Sequence, residues 1–398
     1  MWYFWPSKVI YGEDALDFLE NIAGKKCFIV TDEVLKELGY VDILTEKLDS
    51  FGREYEIYTG VHPDPHEEDV LEAREECIEY GPDLIIALGG GSVMDVAKAV
   101  LALYEFPDYT IDDLHPFNPE LYKLGKKCEL IAIPTTSGTG ADNTYAIIIS
   151  KKEEGMWKKL IHAHKGLVPS YSILDPVFPK GMPPKLTANT GFDALAHSME
   201  NFSNTWRNEF SNALGVKAIE LIFEYLPKAY ESGDDVEARD MMHQAATLAG
   251  IAFGNSSVHI GHSLGHSWGT IFKTPHGECV GVLTPYIIQF LINNPDDDKV
   301  QEIYVKLAKQ LGWANWDDSD EDAIASIVDK IKELQNKLDF PTKFADTEVS
   351  KEEMEDNLDK LVELSFQDPT CTMAPRSPNG DQIKEIYRYA YEGKDVDF

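Results

Sequence analysis

The chain has 398 residues, of which 43% are hydrophobic and 26% are charged, so it is long enough for two domains that each bury a core. Its 69 acidic and 36 basic side chains give a formal net charge of −33, which argues against nucleic acid and membranes as partners because both repel such a surface. The five cysteines form no CxxC pair, so we expect free thiols and a cytoplasmic protein rather than a disulfide framework or a thiolate zinc site.

Short apolar runs alternate with helical patterns through the first half of the chain. The pattern predicts helices from about Glu33 and over residues 67–79, and strands over residues 26–30, 55–58, 84–88 and 130–134. The run over residues 84–88 is continuously apolar, as in a parallel strand that is buried on both faces. Strands that alternate with helices imply an open α/β sheet, whose ligands bind at the carboxyl ends of the strands.

The pattern changes after residue 175. A proline- and glycine-rich break over residues 178–184 predicts a domain boundary, which we place between residues 181 and 182. Beyond it helical periodicity dominates, with predicted helices over residues 208–225, 237–250, 279–291, 298–311, 320–337 and 382–391. We therefore predict an α/β domain with a parallel sheet over residues 1–181 and an all-α domain over residues 182–398.

A glycine-rich segment, Leu88-Gly-Gly-Gly-Ser-Val-Met-Asp95, follows an apolar strand and opens a helix. Its glycines, Gly90 and Gly91 among them, would let backbone N–H groups approach a pyrophosphate, and the helix N-terminus beside Ser92 would add partial positive charge. The segment is not a GxGxxG fingerprint, so a tight strand-to-helix turn is the alternative interpretation. Capping of the helix alone could explain Asp95. The context favours phosphate binding.

Polar residues that suit a dinucleotide follow two further strands. Pro134-Thr-Thr-Ser-Gly-Thr-Gly140 could wrap a ribose or a nicotinamide amide with the hydroxyls of Thr135, Thr136 and Ser137, although by itself it is equally a polar turn. Asp32 follows the strand over residues 26–30, where a carboxylate binds ribose hydroxyls and would repel a 2′-phosphate, which favours NAD over NADP. The alternative for Asp32 is a helix N-cap, and both roles can hold at once.

Aspartate and histidine residues in the second half suit a divalent transition metal. Asp193 and His197 are four residues apart, so a helix would present both on one face. Four more histidines follow, and spacing alone does not say which two would bind: His259, His262, His266 and His276. One carboxylate and three imidazoles suit Fe²⁺ or Zn²⁺. Such a metal, together with a phosphate-binding loop, suggests redox chemistry on an alcohol or a carbonyl.

With these residues in place, the chain resembles the iron-containing (group III) alcohol dehydrogenase family from end to end. The resemblance is carried by residues 6–12, 89–98, 134–140, 190–197, 261–266 and 274–277, and by the tail over residues 368–376. It implies a Rossmann-like dinucleotide-binding domain, a helical metal-binding and substrate domain, and an active site between them. It also implies hydride transfer between NAD(H) and a small alcohol or aldehyde bound to Fe²⁺ or Zn²⁺, in a homodimer or larger homo-oligomer.

The resemblance also assigns individual residues. Its metal ligands correspond to Asp193, His197, His262 and His276. Its cofactor contacts carry over to Asp32, Gly91, Ser92, Thr135 and Thr136, to which we add Gly90, Asp95 and Ser137 from the same loops. His266 is placed beside the nicotinamide, where it would help relay a proton, and His259 is treated as incidental. A ribose-contacting lysine is expected at Lys159, with Lys165 as the weaker candidate.

The chain departs from the family pattern at three places. Gly140-Ala-Asp142, Pro63-Asp-Pro65 and Met373-Ala374 stand where Gly-Ser-Glu, Pro-Asn-Pro and Thr-Asn are usual. None removes an expected ligand, so the departures bear on the substrate more than on the chemistry. The expected pocket walls are Phe253, Trp268, Phe272 and Cys371. The alternatives are a dehydroquinate-synthase-like or glycerol-dehydrogenase-like enzyme of the same fold, a metal-dependent hydrolase, and a non-catalytic metal-binding scaffold.

Overall fold

A computed structural model describes residues 4–153, 156–293, 295 and 299–398. The chain divides into two compact units, Met1–Gly181 and Met182–Phe398. Strands are found in the first unit, whereas the described residues of the second form helices and their connections. Among the described residues, no helix combines the length and the apolar character that crossing a membrane requires.

The first unit is built on a parallel sheet. Its strands are β1 (Lys8–Tyr11), β2 (Lys26–Val30), β3 (Glu54–Tyr58), β4 (Leu84–Gly89), β5 (Glu129–Pro134), β6 (Ala146–Glu153), β7 (Met156–Ala163) and β8 (Tyr171–Leu174). Six of them form one sheet in the order β1-β8-β5-β4-β2-β3, with every pairing parallel. The other two, β6 and β7, pair as an antiparallel hairpin. The predicted open α/β architecture is confirmed.

Alternating side chains cover the two faces of this sheet. In β2, Phe28 and Val30 belong to one buried apolar cluster, whereas Cys27 and Ile29 belong to another. The period of two is that of any strand, and here both faces are apolar because helices cover both. β4 is buried at every residue, as its continuous apolar run predicts.

Strand register brings three chain segments to the same edge of the sheet. Gly89 at the end of β4 lies opposite Pro134 at the end of β5, and Thr135 donates a backbone hydrogen bond of 3.0 Å to the carbonyl of Gly89. On the other side of β4, Val30 lies opposite Ala87. The residues that follow β2, β4 and β5 therefore leave the sheet as neighbours, as parallel strands require.

The helices of the first unit follow these strand ends. They are α1 (Glu33–Glu37), α2 (Tyr40–Ser50), α3 (Glu67–Tyr80) and α4 (Gly91–Glu105). The helix predicted from about Glu33 is in fact two helices, because Gly39 adopts a left-handed φ of 79° between them. β1, β6, β7 and β8 are not among the predicted strands. β1 and β8 are only four residues long, and lysines in the hairpin obscure its alternation.

The second unit is helical. Its helices are α5 (Pro184–Ser203), α6 (Glu209–Glu231), α7 (Val236–Gly254), α8 (Ile260–Phe272), α9 (His276–Ile292), α10 (Lys299–Gln310), α11 (Asp320–Lys337), α12 (Lys351–Gln367) and α13 (Gly380–Glu392). The six predicted helices are confirmed within the described residues, although residue 298, where one was predicted to begin, lies outside them. α6 continues past residue 225 and through the buried Pro227. α5 and α8 are not among these six, and neither is α12. Its buried Met354, Leu358 and Leu361 recur at helical spacing, but acidic residues between them weaken the signal.

Candidate functional site

Asp193 and His197 lie one turn apart on α5, and both side chains are buried. Nε2 of His197 is 3.6 Å from Oδ1 of Asp193. The helix begins at Pro184, a residue that suits the first helical turn, and most of its side chains from Thr187 onward are buried. The four-residue spacing thus presents both groups to the interior of the second unit on one helical face, as the sequence predicts.

His262 on α8 and His276, the first residue of α9, approach the same carboxylate. Their Nε2 atoms lie 3.8 Å and 3.3 Å from Oδ1 of Asp193. Asp193, His262 and His276 each offer a ligand atom within 4.8 Å of the others. Spacing alone could not choose among the histidines of residues 259–276, and the structure brings these two to Asp193.

Asp193, His262 and His276 are close enough together to share one divalent cation, and His197 approaches the same carboxylate oxygen. Oδ1 of Asp193 and Nε2 of His262 are buried and have no hydrogen-bond partner among the described residues. Their separations of 3.3, 3.6 and 3.8 Å are longer than good hydrogen bonds. Atoms about 2.1 Å from the centre of a tetrahedron are roughly 3.4 Å apart, so the spacing suits one shared ion. A carboxylate with three imidazoles is a donor set that both Fe²⁺ and Zn²⁺ accept.

The electrostatics of Asp193, His197 and His276 favour the protonation states that bind a cation. Burial would lower the pKa of His262, but the carboxylates of Glu200 and Asp193 raise it to about 10, so a cation would have to displace a proton from this ring. Burial lowers the pKa of His197 to about 3, so its imidazole is neutral, and its ring stacks on Phe253 with 4.1 Å between centroids. Burial would raise the pKa of Asp193, but the nearby His197 and His276 hold it well below its usual range. A deprotonated carboxylate and neutral imidazoles are the forms that coordinate metals.

Glu200 is a functional candidate that the sequence analysis missed. It lies on the same face of α5 as Asp193 and His197, and its Oε1 is 2.9 Å from Nδ1 of His262. Its other oxygen, Oε2, is 3.2 Å from Nδ1 of His259 and accepts the backbone N–H of that residue. The signal available in the sequence was the i, i+4, i+7 spacing of Asp193, His197 and Glu200. His259, expected to be incidental, is thus a buried partner of Glu200.

His266 is oriented by a carboxylate of its own. Its Nδ1 lies 2.7 Å from Oδ2 of Asp368, and its side chain is 21% exposed, unlike the buried His262. Burial would raise the pKa of Asp368, but the hydrogen bond with His266 helps to lower it to about 2. Oδ1 of Asp368 accepts the backbone N–H and the hydroxyl of Thr370, which fixes the carboxylate. The sequence indicated Asp368 only as part of the tail motif over residues 368–376, and not as a partner of His266.

In the first unit, the two polar loops pack against each other. A Cβ atom at Gly90 would lie 3.4 Å from Oγ1 of Thr136, and one at Gly91 would lie 3.1 Å from Cγ2 of Thr139. α4 starts at Gly91, so Ser92 stands in its first turn.

 Since no side-chain cap is found for α4 among the described residues, the N–H groups of its first turn are available to an anionic ligand.

The remaining cofactor candidates have protein partners of their own. Asp32 caps α1, because its Oδ1 accepts the backbone N–H of Leu35 at 2.9 Å. Asp95 accepts the backbone N–H of Ile148 at 2.9 Å, and burial raises its pKa to about 6. Nζ of Lys159 lies 3.2 Å from Oδ1 of Asp64. Asp32, Asp95 and Lys159 therefore each contact another part of the protein. A contact with the nucleotide would be additional to these contacts.

Of the residues expected to form the pocket wall, two lie beside His197 or a cavity, and two are buried in the core. Phe253 stacks on His197, and Phe272 lines a cavity of about 560 Å³ in the second unit together with Thr274 and Pro275. Trp268 is instead a core residue, fully buried and stacked on Phe344 with 3.7 Å between ring centroids. Cys371 is buried, and like the other four cysteines it is a free thiol.

Comparison with known proteins assigns the chain to a family. Residues 6–176 match the family described as iron-containing alcohol dehydrogenase, and residues 187–391 match the C-terminal region of the Fe-containing alcohol dehydrogenase family. The chain is also 37% identical over 397 residues to the NADPH-dependent butanol dehydrogenase of Clostridium saccharobutylicum, covering 99% of this chain and 98% of that protein. The chain belongs to the iron-containing alcohol dehydrogenase family.

Two further proteins are similar to the chain over nearly its whole length. It is 33% identical to aldehyde-alcohol dehydrogenase 2 of Entamoeba histolytica over 98% of this chain, but it spans only 46% of that longer protein. The solved structure of an iron-containing alcohol dehydrogenase from Thermococcus thioreducens superimposes with a TM-score of 0.86 at 30% identity, covering 99% of this chain and all of that one. The chain therefore spans nearly all of the butanol dehydrogenase and of the Thermococcus structure, but about half of the Entamoeba protein.

Family membership establishes the class of reaction. The protein is a metal-dependent alcohol dehydrogenase, an oxidoreductase that interconverts alcohols and aldehydes with a nicotinamide cofactor. Its expected family and fold class are confirmed. The form of the nicotinamide nucleotide and the identity of the individual ligands are finer questions, which the residues of this chain address.

Proposed function

We propose that Asp193, His197, His262 and His276 hold one ferrous ion and that the protein uses it to interconvert a small alcohol and its aldehyde with NAD(H). The observation that carries the proposal is the approach of three imidazole Nε2 atoms to one buried carboxylate oxygen, at 3.3, 3.6 and 3.8 Å. Zn²⁺ would fit the same donors, and iron is proposed because it gives the family its name.

The two units have different roles in this proposal. Residues 1–181 bind the dinucleotide, with Gly90, Gly91 and Ser92 at its pyrophosphate and with hydroxyls from Thr135, Thr136 and Ser137. The adjacent ends of β4 and β5 support this assignment, because they bring both loops to one edge of the sheet. Residues 182–398 bind the metal and the substrate oxygen.

When bound, the ferrous ion supplies Lewis acidity toward the substrate oxygen, and the nicotinamide accepts or donates the hydride. The residues of the chain hold and orient these reactants. His266 relays a proton at its Nε2 atom, since Asp368 occupies Nδ1 at 2.7 Å and the ring is partly exposed. Asp193, His197 and His262 are buried, which keeps water from their donor atoms and strengthens the electrostatic contacts there, whereas the side chain of His276 is 38% exposed.

NAD(H) rather than NADP(H) is proposed from Asp32. A carboxylate just after β2 suits ribose hydroxyls and repels a 2′-phosphate, even though the butanol dehydrogenase of Clostridium saccharobutylicum is described as NADPH-dependent. Asp95, from the first part of α4, and Lys159 are proposed as further nucleotide contacts. A homodimer and a cytoplasmic location are also proposed, the latter because all five cysteines are free thiols.

A reconstitution assay tests this proposal. The protein is purified without oxygen, stripped with a chelator, and reloaded with Fe²⁺ or with Zn²⁺. NADH absorbance is then followed with a panel of short alcohols and aldehydes, and NADPH is run in parallel. We expect turnover that depends on Fe²⁺ and prefers NADH. Turnover that survives complete metal removal, or a preference for NADPH, would contradict the corresponding part of the proposal.

A further inference from the structure

The carboxylate of Glu200 joins two buried histidines. Its Oε1 lies 2.9 Å from Nδ1 of His262, and its Oε2 accepts the backbone N–H of His259 and lies 3.2 Å from Nδ1 of the same residue. The three side chains are only 6%, 3% and 1% exposed, in the order Glu200, His262, His259. A carboxylate placed in such surroundings needs these partners, because unpaired burial of its charge would be costly.

A glycine allows this approach. A Cβ atom at Gly261 would lie 2.2 Å from Oε1 of Glu200, closer than any packed pair of atoms tolerates. The glycine next to His262 therefore leaves room for the carboxylate beside α8. Gly261 is the first residue of the motif Gly261-His-Ser-Leu-Gly-His266. The position of Glu200 on α5 therefore requires a residue without a side chain at the start of this motif.

The network continues away from the metal site. Nε2 of His259 is 2.8 Å from Oγ of Ser203, and the hydroxyl of Tyr304 on α10 donates to the same oxygen at 2.9 Å. With Tyr304 donating, the Ser203 hydroxyl has its own hydrogen to give to Nε2 of His259. These contacts fix the ring of His259, and its backbone N–H in turn fixes Oε2 of Glu200.

The consequence for His262 follows from its two ring nitrogens. A carboxylate at Nδ1 requires a hydrogen on that atom, so in the neutral ring the lone pair is on Nε2, the nitrogen that faces Asp193. Carboxylates that accept this second N–H orient a metal-binding imidazole and make it a stronger donor. Nε2 of His262 has no hydrogen-bond partner among the described residues, which agrees with a lone pair held for an ion.

We propose that Glu200 is the positioning residue of the metal centre, and that His259, Ser203 and Tyr304 hold it in place. The inference rests on the proposed function, because it requires His262 to be a ligand. Glu200 touches neither substrate nor nucleotide in this account. It acts by fixing which nitrogen of His262 faces the ion and how strongly that nitrogen donates.

Metal binding tests this role without relying on turnover. Apoprotein is titrated with Co²⁺ against a competing chelator, and the visible absorption bands of the bound Co²⁺ report the donor strength of its ligands. We expect Glu200→Gln to weaken Co²⁺ binding by about 10- to 100-fold and to shift these bands. The apoprotein should keep a melting temperature close to that of the wild type. Wild-type affinity and an unshifted spectrum would overturn the proposal.

Matched variants keep the test decisive if Glu200→Gln does not fold. Tyr304→Phe removes only the far hydroxyl of the network, whereas Tyr286→Phe removes a hydroxyl that is likewise buried but bonds the backbone of Thr342. We expect a several-fold loss of Co²⁺ affinity for Tyr304→Phe and none for Tyr286→Phe, and equal affinities would overturn the proposal. His262→Ala tests the proposed ligand set separately from the role of Glu200. If that variant still binds Co²⁺ as the wild type does, the proposed ligand set is wrong, whatever Glu200 does.

Discussion

Oδ1 of Asp193 lies 3.3 Å from Nε2 of His276, although the two residues come from different helices of the second unit. Gly277 makes this approach possible, because a Cβ atom there would lie 2.1 Å from the carbonyl oxygen of Asn189 on α5. The close packing of α9 on α5 at this glycine thus brings the last of the four donors to the carboxylate.

The first prediction concerns this carboxylate. Asp193→Asn keeps the shape of the side chain but removes the charge that three imidazoles surround. We expect metal content to fall to a small fraction of one ion per chain and turnover to fall at least about 100-fold, since Lewis-acid stabilisation supplies several kcal/mol. Elemental analysis and initial rates measure both. His115→Ala, at an exposed histidine of the first unit, is the control and should change neither.

The second prediction concerns the orientation of His266. Asp368→Asn replaces a carboxylate that accepts from Nδ1 with an amide that can donate or accept, so the ring nitrogen facing away is no longer fixed. We expect kcat to fall by about 10-fold or more with metal content unchanged. Steady-state kinetics with parallel metal analysis check this. Asp356→Asn, at an exposed position on α12, serves as the control, and an equal effect of both variants would argue against the role of His266.

The third prediction separates the two roles of Asp32. Asp32→Ser keeps an oxygen that can cap α1 but removes the carboxylate that would repel a 2′-phosphate. We expect the ratio of kcat/KM for NADPH to that for NADH to rise by about 10-fold or more, with little change in melting temperature. An unchanged ratio would show that Asp32 is only a helix cap.

Spacing within one helix predicts part of the site, because helix geometry is local. The pair of Asp193 and His197 follows from their separation of four residues. The choice of His262 and His276 among the histidines does not, since it depends on how α8 and α9 pack on α5. Glu200 was missed because a carboxylate in a sequence normally indicates a solvated surface. Only the packed structure shows it buried against His259 and His262.

The fold shows the same division. The strands and helices with strong periodicity, such as β4 and α11, are predictable from sequence because their burial pattern is repeated along the element. The order of strands in the sheet is not, since β1 pairs with β8 through contacts between distant parts of the chain. The short β1 and β8 have too few residues to show a period, and their pairing is what stabilises them.

The fourth prediction is a pH dependence of stability. Burial lowers the pKa of Lys165 from its usual value to about 8. Between pH 8 and the unfolded pKa near 10.5, the unfolded chain binds more protons than the folded one, so this lysine makes stability rise with pH. We expect nucleotide-free Lys165→Met to be more stable than the wild type at pH 7, by roughly 1–2 kcal/mol.

That advantage should shrink as the pH rises toward 10.5, and denaturant unfolding at several pH values measures it. Lys185→Met, at a side chain that is 79% exposed, is the control and should show no such convergence with the wild type. A constant difference between Lys165→Met and the wild type at all pH values would contradict the assigned burial of the charge.

The most direct test of the metal centre is an anomalous diffraction measurement at the iron absorption edge, on crystals grown without oxygen in the presence of Fe²⁺. The account predicts one strong peak per chain, at about 2.0–2.2 Å from Oδ1 of Asp193 and from Nε2 of His197, His262 and His276. A crystal with no peak at these four atoms, or with its iron bound elsewhere, would contradict it.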